Sequence, residues 1–306
     1  VRISDYFDLL AGTSTGGILT CMYVAPDKEG KRPKFTAAEA VDLYFKNGGK
    51  IFNLPFFRKI LNPFGIFEAK YPAKNIENIL KTYLGDLKLS QALKPCLVTS
   101  YEIFQRKTMF FNKVDTLKEE HIRDFKLRDI ARATSAAPTY FKPASIKSVY
   151  GAPYYLIDGG TFANNPSMCA YSEANTSELG KILKREDKPN YPTAKDMLLV
   201  SIGTGSHGDP YPYCKAKNWG VIGWLQPLIN ILMSGNSETV NYQLKHIFEV
   251  AKSTYYRLEP SVGTASSEMD LATQENMRAL QEAGKTFVSN NAETLDEIVD
   301  LLIQNK

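Results

Sequence analysis

Hydrophobic and polar positions along the chain follow two patterns, short apolar runs and longer segments of helical periodicity. A buried strand is short and rich in apolar residues. We predict strands at residues 7–11, 96–101, 154–157 and 197–202, with 108–112 and 254–258 as further candidates. The spacing between them predicts helices over residues 36–45, 72–85, 277–287 and 295–302. Because strands that alternate with helices are typical of sheets covered on both faces, we predict a three-layer α/β fold with a mainly parallel central sheet flanked by helices.

Size, charge and cysteine content narrow the class of protein. The 306 residues are 43% hydrophobic and carry no repeat or Gly/Ser linker, so we predict a single domain over residues 1–306. A net charge of +4, spread along the chain, gives little support to nucleic-acid binding. The four cysteines form no Cys-x-x-Cys pair, which favours reduced thiols in a cytoplasmic protein. The longest apolar stretch, residues 219–233, is shorter than the about 20 residues that a membrane-spanning helix needs.

A glycine-rich turn at residues 12–17, Gly-Thr-Ser-Thr-Gly-Gly, follows the first predicted strand and precedes a segment that can open a helix. Gly-x-Ser-x-Gly in this context is typical of a nucleophile elbow, which would expose the hydroxyl of Ser14. We expect glycine at Gly12 and Gly16 because side chains that flank so sharp a turn would clash. The N–H of Thr15 would lie where an oxyanion forms. An anion-binding turn and a plain connection are the alternatives, although the turn lacks the lysine of a Walker-type phosphate loop.

A second feature follows the strand predicted at residues 154–157. Asp158 ends this strand, and Gly159 and Gly160 come directly after it. A serine at its ordinary pKa is a poor nucleophile and needs a base within hydrogen-bond reach. Because open α/β sheets build their sites at the carboxyl ends of strands, we predict that Asp158 faces Ser14. Taken alone, Asp-Gly-Gly is equally compatible with an ordinary turn.

Together the two motifs resemble those of the patatin-like phospholipases, in particular the bacterial type. The similarity continues through residues 131–141, 201–205, 268–270 and 275–277 and covers nearly the whole chain. It implies a lipid acyl hydrolase in which Ser14 is the nucleophile and Asp158 the base of a catalytic dyad, with an acyl-enzyme intermediate and no metal or organic cofactor. The other site residues that it implies are Gly12, Thr15, Gly16 and Gly17 at the elbow and Gly159 and Gly160 beside the base.

One motif of that family does not occur in the 306 residues. Members carry a glycine-rich oxyanion loop, Gly-Gly-Gly-x-Arg/Lys-Gly, some tens of residues before the serine, whereas only 13 residues precede Ser14. We therefore expect that the first strand and the oxyanion loop of the domain lie upstream of residue 1. Losing one oxyanion donor would raise the barrier of the reaction by about 2.7–4 kcal/mol.

Two alternatives to this function stay open at the level of the sequence. Ser14, Asp158 and His207 occur in the chain order of an α/β-hydrolase triad, so an esterase that uses His207 is the first. A non-catalytic storage or lipid-binding protein is the second, because the family includes storage proteins. The remaining histidines, His121 and His246, lie in helical patterns and are typical of a helix surface.

A lipid substrate predicts apolar surface near the serine. Residues 51–67 are crowded with aromatic side chains and broken by two prolines, and a basic pair among them can meet lipid headgroups. The candidates for lipid contact are Phe56, Phe57, Arg58 and Lys59. A core-packing loop is equally compatible with this composition. Residues 219–233 are a second candidate for acyl-chain or membrane contact, with a buried helix as the alternative. The expected partner is a membrane or micellar lipid in peripheral contact; no pattern indicates an oligomeric state.

Overall fold

The computed structural model describes residues 1–53, 68–117, 123–205, 210–266 and 268–305. Its strands are β1 (Leu10–Gly12), β2 (Cys96–Glu102), β3 (Lys107–Asn112), β4 (Ala144–Lys147), β5 (Pro153–Asp158), β6 (Leu198–Ile202) and β7 (Thr254–Leu258). Its helices are α1 (Thr15–Val24), α2 (Ala37–Ile51), α3 (Ala73–Leu84), α4 (Leu127–Thr134), α5 (Ser167–Asn175), α6 (Leu179–Leu183), α7 (Tyr213–Ala216), α8 (Val221–Ala251), α9 (Gln274–Asn290) and α10 (Ala292–Asn305). Every predicted strand occurs close to its predicted position, and β4 is an addition.

Strand β2 lies at the centre of a five-stranded sheet. Strand β3 pairs antiparallel with it from Leu97 to Glu102 and so occupies one edge of β2. Strands β1 and β5 therefore share the other edge, where β1 runs parallel to the first half of β2 and β5 antiparallel to the second half. Strand β4 continues the sheet beyond β5, and β6 and β7 form a separate parallel pair.

The predicted central sheet between helices is confirmed, but the strand directions are mixed rather than mainly parallel. In the part of the chain that the structure describes, three of the five strand pairings are antiparallel. A run of buried apolar residues such as β2 indicates that both faces of the strand are covered. It does not indicate whether the neighbouring strands run parallel or antiparallel to it. The short links 103–106 and 148–152 cannot make the crossover that a parallel pair needs, so they impose antiparallel pairs.

The main core lies between the sheet and the helices packed on it. Its largest fully buried side chains include Met22 of α1, Leu43 of α2, Phe111 of β3 and Leu156 of β5. Because these side chains come from elements far apart in sequence, the core fixes the first half of the chain around β2. The strand ends that carry the candidate site are therefore held by the most buried part of the molecule.

Local sequence signals define the start of α2 and both ends of α3, close to the predicted positions, whereas α2 continues to Ile51, beyond its predicted end at residue 45. Helix α2 begins at a capping box, in which Thr36 accepts a hydrogen bond from the N–H of Glu39 and the Glu39 side chain accepts one in return. Helix α3 begins directly after Pro72 and ends before Gly85, whose φ of 55° suits glycine. The two helices pack against each other beside α1.

The two halves of helix α8 differ in burial. Its C-terminal half contributes Val240, Leu244 and Phe248 to a second, smaller core. Its N-terminal end is open, since Val221 and Ile222 are 88% and 91% exposed. The alternative that residues 219–233 form a buried helix is therefore wrong, because apolar composition alone does not provide a surface to pack against. Among the described residues, no helix combines the length and the apolar character that crossing a membrane requires.

Candidate active site

Strands β1 and β5 end facing each other on the same edge of β2. Strand β1 ends with Gly12 opposite Val98, and β5, which runs the other way, ends with Asp158 opposite Ser100. The segments that follow the two strands therefore meet at the middle of β2. The opposed strands, rather than the parallel strands expected from the sequence, bring Ser14 and Asp158 together.

Ser14 lies in a strained turn between β1 and α1. Its backbone has φ 54° and ψ −122°, a conformation that residues with a side chain rarely adopt. The N–H of Ser14 donates to Oγ1 of Thr134 at 2.9 Å, and the hydroxyl of Thr13 donates to the carbonyl of Ala163 at 2.6 Å. These bonds hold the turn in the geometry that is typical of a nucleophile elbow.

Helix α1 begins at Thr15, directly after the turn. The first N–H groups of a helix have no intrahelical acceptor, and the side chain of Ser14 caps none of those in α1. Thr15 is exposed, so its N–H can meet a ligand together with the partial positive charge of the helix N-terminus. The arrangement is suited to stabilising an oxyanion next to the Ser14 hydroxyl.

Steric crowding requires glycine at two elbow positions and not at a third. A Cβ on Gly12 would lie 2.2 Å from the carbonyl oxygen of Gly16, and a Cβ on Gly17 would lie 2.7 Å from Cγ2 of Thr134. For Gly16, apart from its chain neighbours and the backbone of its own helix, no heavy atom of the described residues lies within 4 Å of the Cβ position. The expectation that Gly16 avoids a clash is therefore wrong, because this residue faces open space in the first turn of α1.

The two positions make a matched pair of variants. We expect Gly12→Ala to lower the free energy of unfolding by about 1–3 kcal/mol, since the new methyl group overlaps backbone that cannot move freely. Gly16→Ala should change it by less than about 1 kcal/mol, because alanine is favoured within a helix and the site is open. Urea denaturation of both variants measures the difference, and equal losses would contradict the geometry.

Ser14 and Asp158 are in direct contact. The Ser14 hydroxyl donates to Oδ2 of Asp158 at 2.6 Å, and the N–H of Gly160 donates to Oδ1 at 2.7 Å. Asp158 is only 5% exposed. Burial raises the pKa of Asp158 to about 6, against the opposing effect of the hydrogen bonds from Ser14 and Gly160. Such a carboxyl is ionised at neutral pH and is a stronger base than an ordinary aspartate.

Contacts with β2 and α8 hold the backbone of the loop that follows Asp158. A Cβ on Gly159 would lie 2.1 Å from Oγ1 of Thr99, so only glycine allows this close approach. Further along, Oδ1 of Asn236 accepts from the N–H of Asn164 at 2.9 Å, and the Asn236 amide donates to the carbonyl of Phe162 at 2.8 Å. These hydrogen bonds attach the loop after Asp158 to helix α8.

Three residues that contact the site were not predicted from the sequence. Thr134 lies within the segment 131–141, whose similarity to the family was the available signal for it. Thr99 lies inside β2, and Asn236 inside α8, where no local pattern distinguishes them. Their partners are distant in sequence, so only the tertiary fold reveals what they contact.

Several predicted residues lie outside the part of the chain that the structure describes: Phe56, Phe57, Arg58, Lys59, His121 and His207. The lipid contacts predicted for the first four, and the triad that would use His207, stay predictions. His246 lies on the surface of α8, as expected, with Nδ1 at 3.6 Å from a carboxylate oxygen of Glu249.

The fold and this site belong to a known class of protein. A family model described as patatin-like phospholipase matches residues 1–171, more than half of the chain, and the chain belongs to the patatin-like phospholipase family. Membership supports lipid acyl hydrolysis as the general class of activity.

Plant proteins are similar to this chain over most of its length. Patatin-like protein 1 of Arabidopsis thaliana is 33% identical over 318 residues, which cover 94% of this chain and 73% of that protein. Patatin-like protein 2 of the same species is 34% identical over 304 residues, which cover 92% and 73%. Probable inactive patatin-3-Kuras 1 of Solanum tuberosum is 32% identical over 308 residues, which cover 95% and 77%. The bacterial type inferred from the motifs stays a prediction.

Proposed function

We propose that this protein is a lipid acyl hydrolase of the phospholipase A type, which cleaves fatty-acyl esters through a dyad of Ser14 and Asp158. The observation that carries the proposal is the 2.6 Å hydrogen bond from the Ser14 hydroxyl to the buried Asp158 carboxylate. Residues 1–306 would act as one catalytic domain. A cytoplasmic location belongs to the same proposal, because all four cysteines are free thiols.

The reaction proceeds in two steps. Oγ of Ser14 attacks the carbonyl carbon of the ester while its proton passes to Oδ2 of Asp158, and the N–H of Thr15 stabilises the oxyanion. The tetrahedral intermediate collapses, and Asp158 returns the proton to the departing alcohol. Water then attacks the acyl-enzyme, with Asp158 accepting its proton, and the fatty acid leaves as Ser14 is reprotonated.

The environment of Asp158 suits a base that works without histidine. A carboxylate with an ordinary pKa is weak at removing a proton from a hydroxyl. Burial raises the pKa of Asp158 to about 6, which strengthens the base and still leaves it ionised at pH 7. The direct contact also favours the dyad over a triad, because in a triad an imidazole lies between the serine and the acid.

A non-catalytic storage or lipid-binding protein is the second candidate, and the relative named Probable inactive patatin-3-Kuras 1 favours a non-catalytic member. A fluorophosphonate probe separates the two, because it reacts with an activated serine. We expect one adduct per chain, located on Ser14 by peptide mass spectrometry, and none in Ser14→Ala. The exposed Ser172 provides a matched control, and Ser172→Ala should label like the parent protein. Absence of an adduct on Ser14 would favour the storage protein.

A further inference from the structure

The N-terminal half of α8 presents large apolar side chains to the outside of the protein. Besides Val221 and Ile222, Leu225 is 57% exposed and Leu232 is 61% exposed. Monomeric proteins scatter such side chains singly, whereas a contiguous set marks a contact with a partner or a lipid surface. This part of α8, residues 221–233, together with residues 211–219 that lead into it, is called the docking surface below.

Six of the apolar side chains share one side of the helix, and Ile222 lies outside that side. At about 100° per residue, Val221, Trp224, Leu225, Leu228, Ile231 and Leu232 fall within an arc of about 120°. Gln226 and Asn230 lie on the opposite side, where their side chains are hydrogen-bonded to each other at 3.2 Å. The helix is thus amphipathic along about 20 Å of its length. This pattern is typical of a helix that lies in the plane of a lipid interface.

Aromatic and basic residues accompany the apolar arc. The rings of Trp219 and Trp224 pack edge to face with centroids 5.1 Å apart, and Tyr213 is 81% exposed. Tryptophan and tyrosine are enriched where a protein meets lipid headgroups. Between residues 210 and 237 the only charged side chains are Lys215 and Lys217, both exposed. A cationic border on an otherwise uncharged apolar surface is complementary to anionic headgroups.

The docking surface is attached to the candidate active site. The Met233 carbonyl accepts a hydrogen bond from the side chain of Asn164 at 3.2 Å, and the Met233 methyl lies 3.4 Å from the Cβ position of Gly160. One turn later, Asn236 bonds the same loop. A lipid surface in contact with α8 would therefore lie beside the Ser14–Asp158 pair, where an acyl chain has to arrive.

We infer that the docking surface binds lipid surfaces that carry anionic headgroups, with the apolar arc entering the acyl boundary and the two lysines meeting the headgroups. The purpose of this contact rests on the proposed function, since it delivers acyl lipids to Ser14. Binding itself does not require catalysis. A second copy of the chain fits less well, because two identical surfaces would bring their lysines into one interface.

Intrinsic fluorescence tests this surface directly, because the only two tryptophans of the chain, Trp219 and Trp224, lie in it. The measurement uses Ser14→Ala protein and vesicles of phosphatidylcholine with or without phosphatidylserine. We expect a saturable shift of the emission to shorter wavelength with the mixed vesicles. Adding Leu225→Ser and Leu232→Ser should weaken binding at least about tenfold. Lys215→Gln with Lys217→Gln should weaken it about 25-fold on mixed vesicles and little on phosphatidylcholine alone.

Val250→Ser is the matched control, because Val250 is 84% exposed on the same helix, about 43 Å from Val221. This variant should bind vesicles like the Ser14→Ala parent, and circular dichroism checks that every variant is folded. Absence of an emission shift with either vesicle, or equal binding by the serine variants, would overturn the inference. So would a dimer that those serine substitutions dissociate while vesicles cause no shift, since the surface would then belong to a second copy.

The two proposals fail separately. In one outcome, the Ser14→Ala protein binds vesicles but the unsubstituted protein does not hydrolyse a soluble ester. This result would support the docking surface and contradict the dyad. In the other outcome, the unsubstituted protein hydrolyses the soluble ester but no vesicle binding is seen. This result would support the dyad and contradict the proposed lipid binding by the docking surface.

Discussion

Asp158→Asn is expected to lower kcat for ester hydrolysis by about 10³- to 10⁴-fold. The amide keeps the shape of the side chain: its oxygen can accept from the N–H of Gly160 and its NH2 group can donate to Oγ of Ser14, but it cannot take the proton. Steady-state kinetics on a short-chain 4-nitrophenyl ester measure the loss. Because substrate contacts do not change, KM should stay within a few-fold of its original value, so the loss falls on kcat.

Stability measurements provide the control that this variant is folded. The pKa of Asp158 is about 6 in the folded protein and has a reference value of 3.8, so the folded state binds the proton more tightly than the unfolded chain. Stability therefore falls as pH rises from 3.8 to 6, and above pH 6 the ionised carboxylate costs on the order of 3 kcal/mol. Asp158→Asn removes this cost, so its free energy of unfolding at pH 7.5 should exceed that of the parent, with little difference near pH 4. A less stable variant at pH 7.5 would contradict the buried carboxylate.

The pH dependence of kcat/KM is the second large effect. The free enzyme needs ionised Asp158 to accept the proton, and burial raises the pKa of this group to about 6. We expect kcat/KM to approach a tenfold fall per pH unit below that value, which amounts to about 50-fold between pH 6 and pH 4. A soluble short-chain ester gives the profile, and circular dichroism over the same range checks that the protein stays folded.

Two outcomes of the pH profile would contradict the assignment. A rate that stays constant down to pH 4.5 would mean that a group of lower pKa is the base. A midpoint near 6.5 that disappears in His207→Ala would assign it to an imidazole.

The elbow and the acid were predictable because their signals are local. Gly12 and Ser14 lie in one strand–turn–helix segment, and the burial of the strand that ends at Asp158 can be read from its own residues. What brings Ser14 and Asp158 together is not local. It depends on the opposed directions of β1 and β5 on β2, which the apolar pattern does not encode.

The solvent exposure of individual side chains was the other property that the hydrophobic pattern of the sequence did not predict. Residues 219–233 have the composition of a buried helix, and whether another element covers them is decided by tertiary packing. Within the described residues, the C-terminal half of α8, around Leu244, is the part of this helix that packs in a hydrophobic core. The same holds for Gly16, whose open surroundings are a property of the packed structure, and for Asn236, whose partner Asn164 is 72 residues away.

The measurement that tests the dyad most directly is kcat/KM of Asp158→Asn and of His207→Ala, determined side by side on one soluble ester at pH 7.5. If Asp158 is the base, Asp158→Asn loses at least about a thousandfold while His207→Ala stays within a few-fold of the parent protein. Full activity in Asp158→Asn together with loss of activity in His207→Ala would contradict the dyad and establish a histidine base.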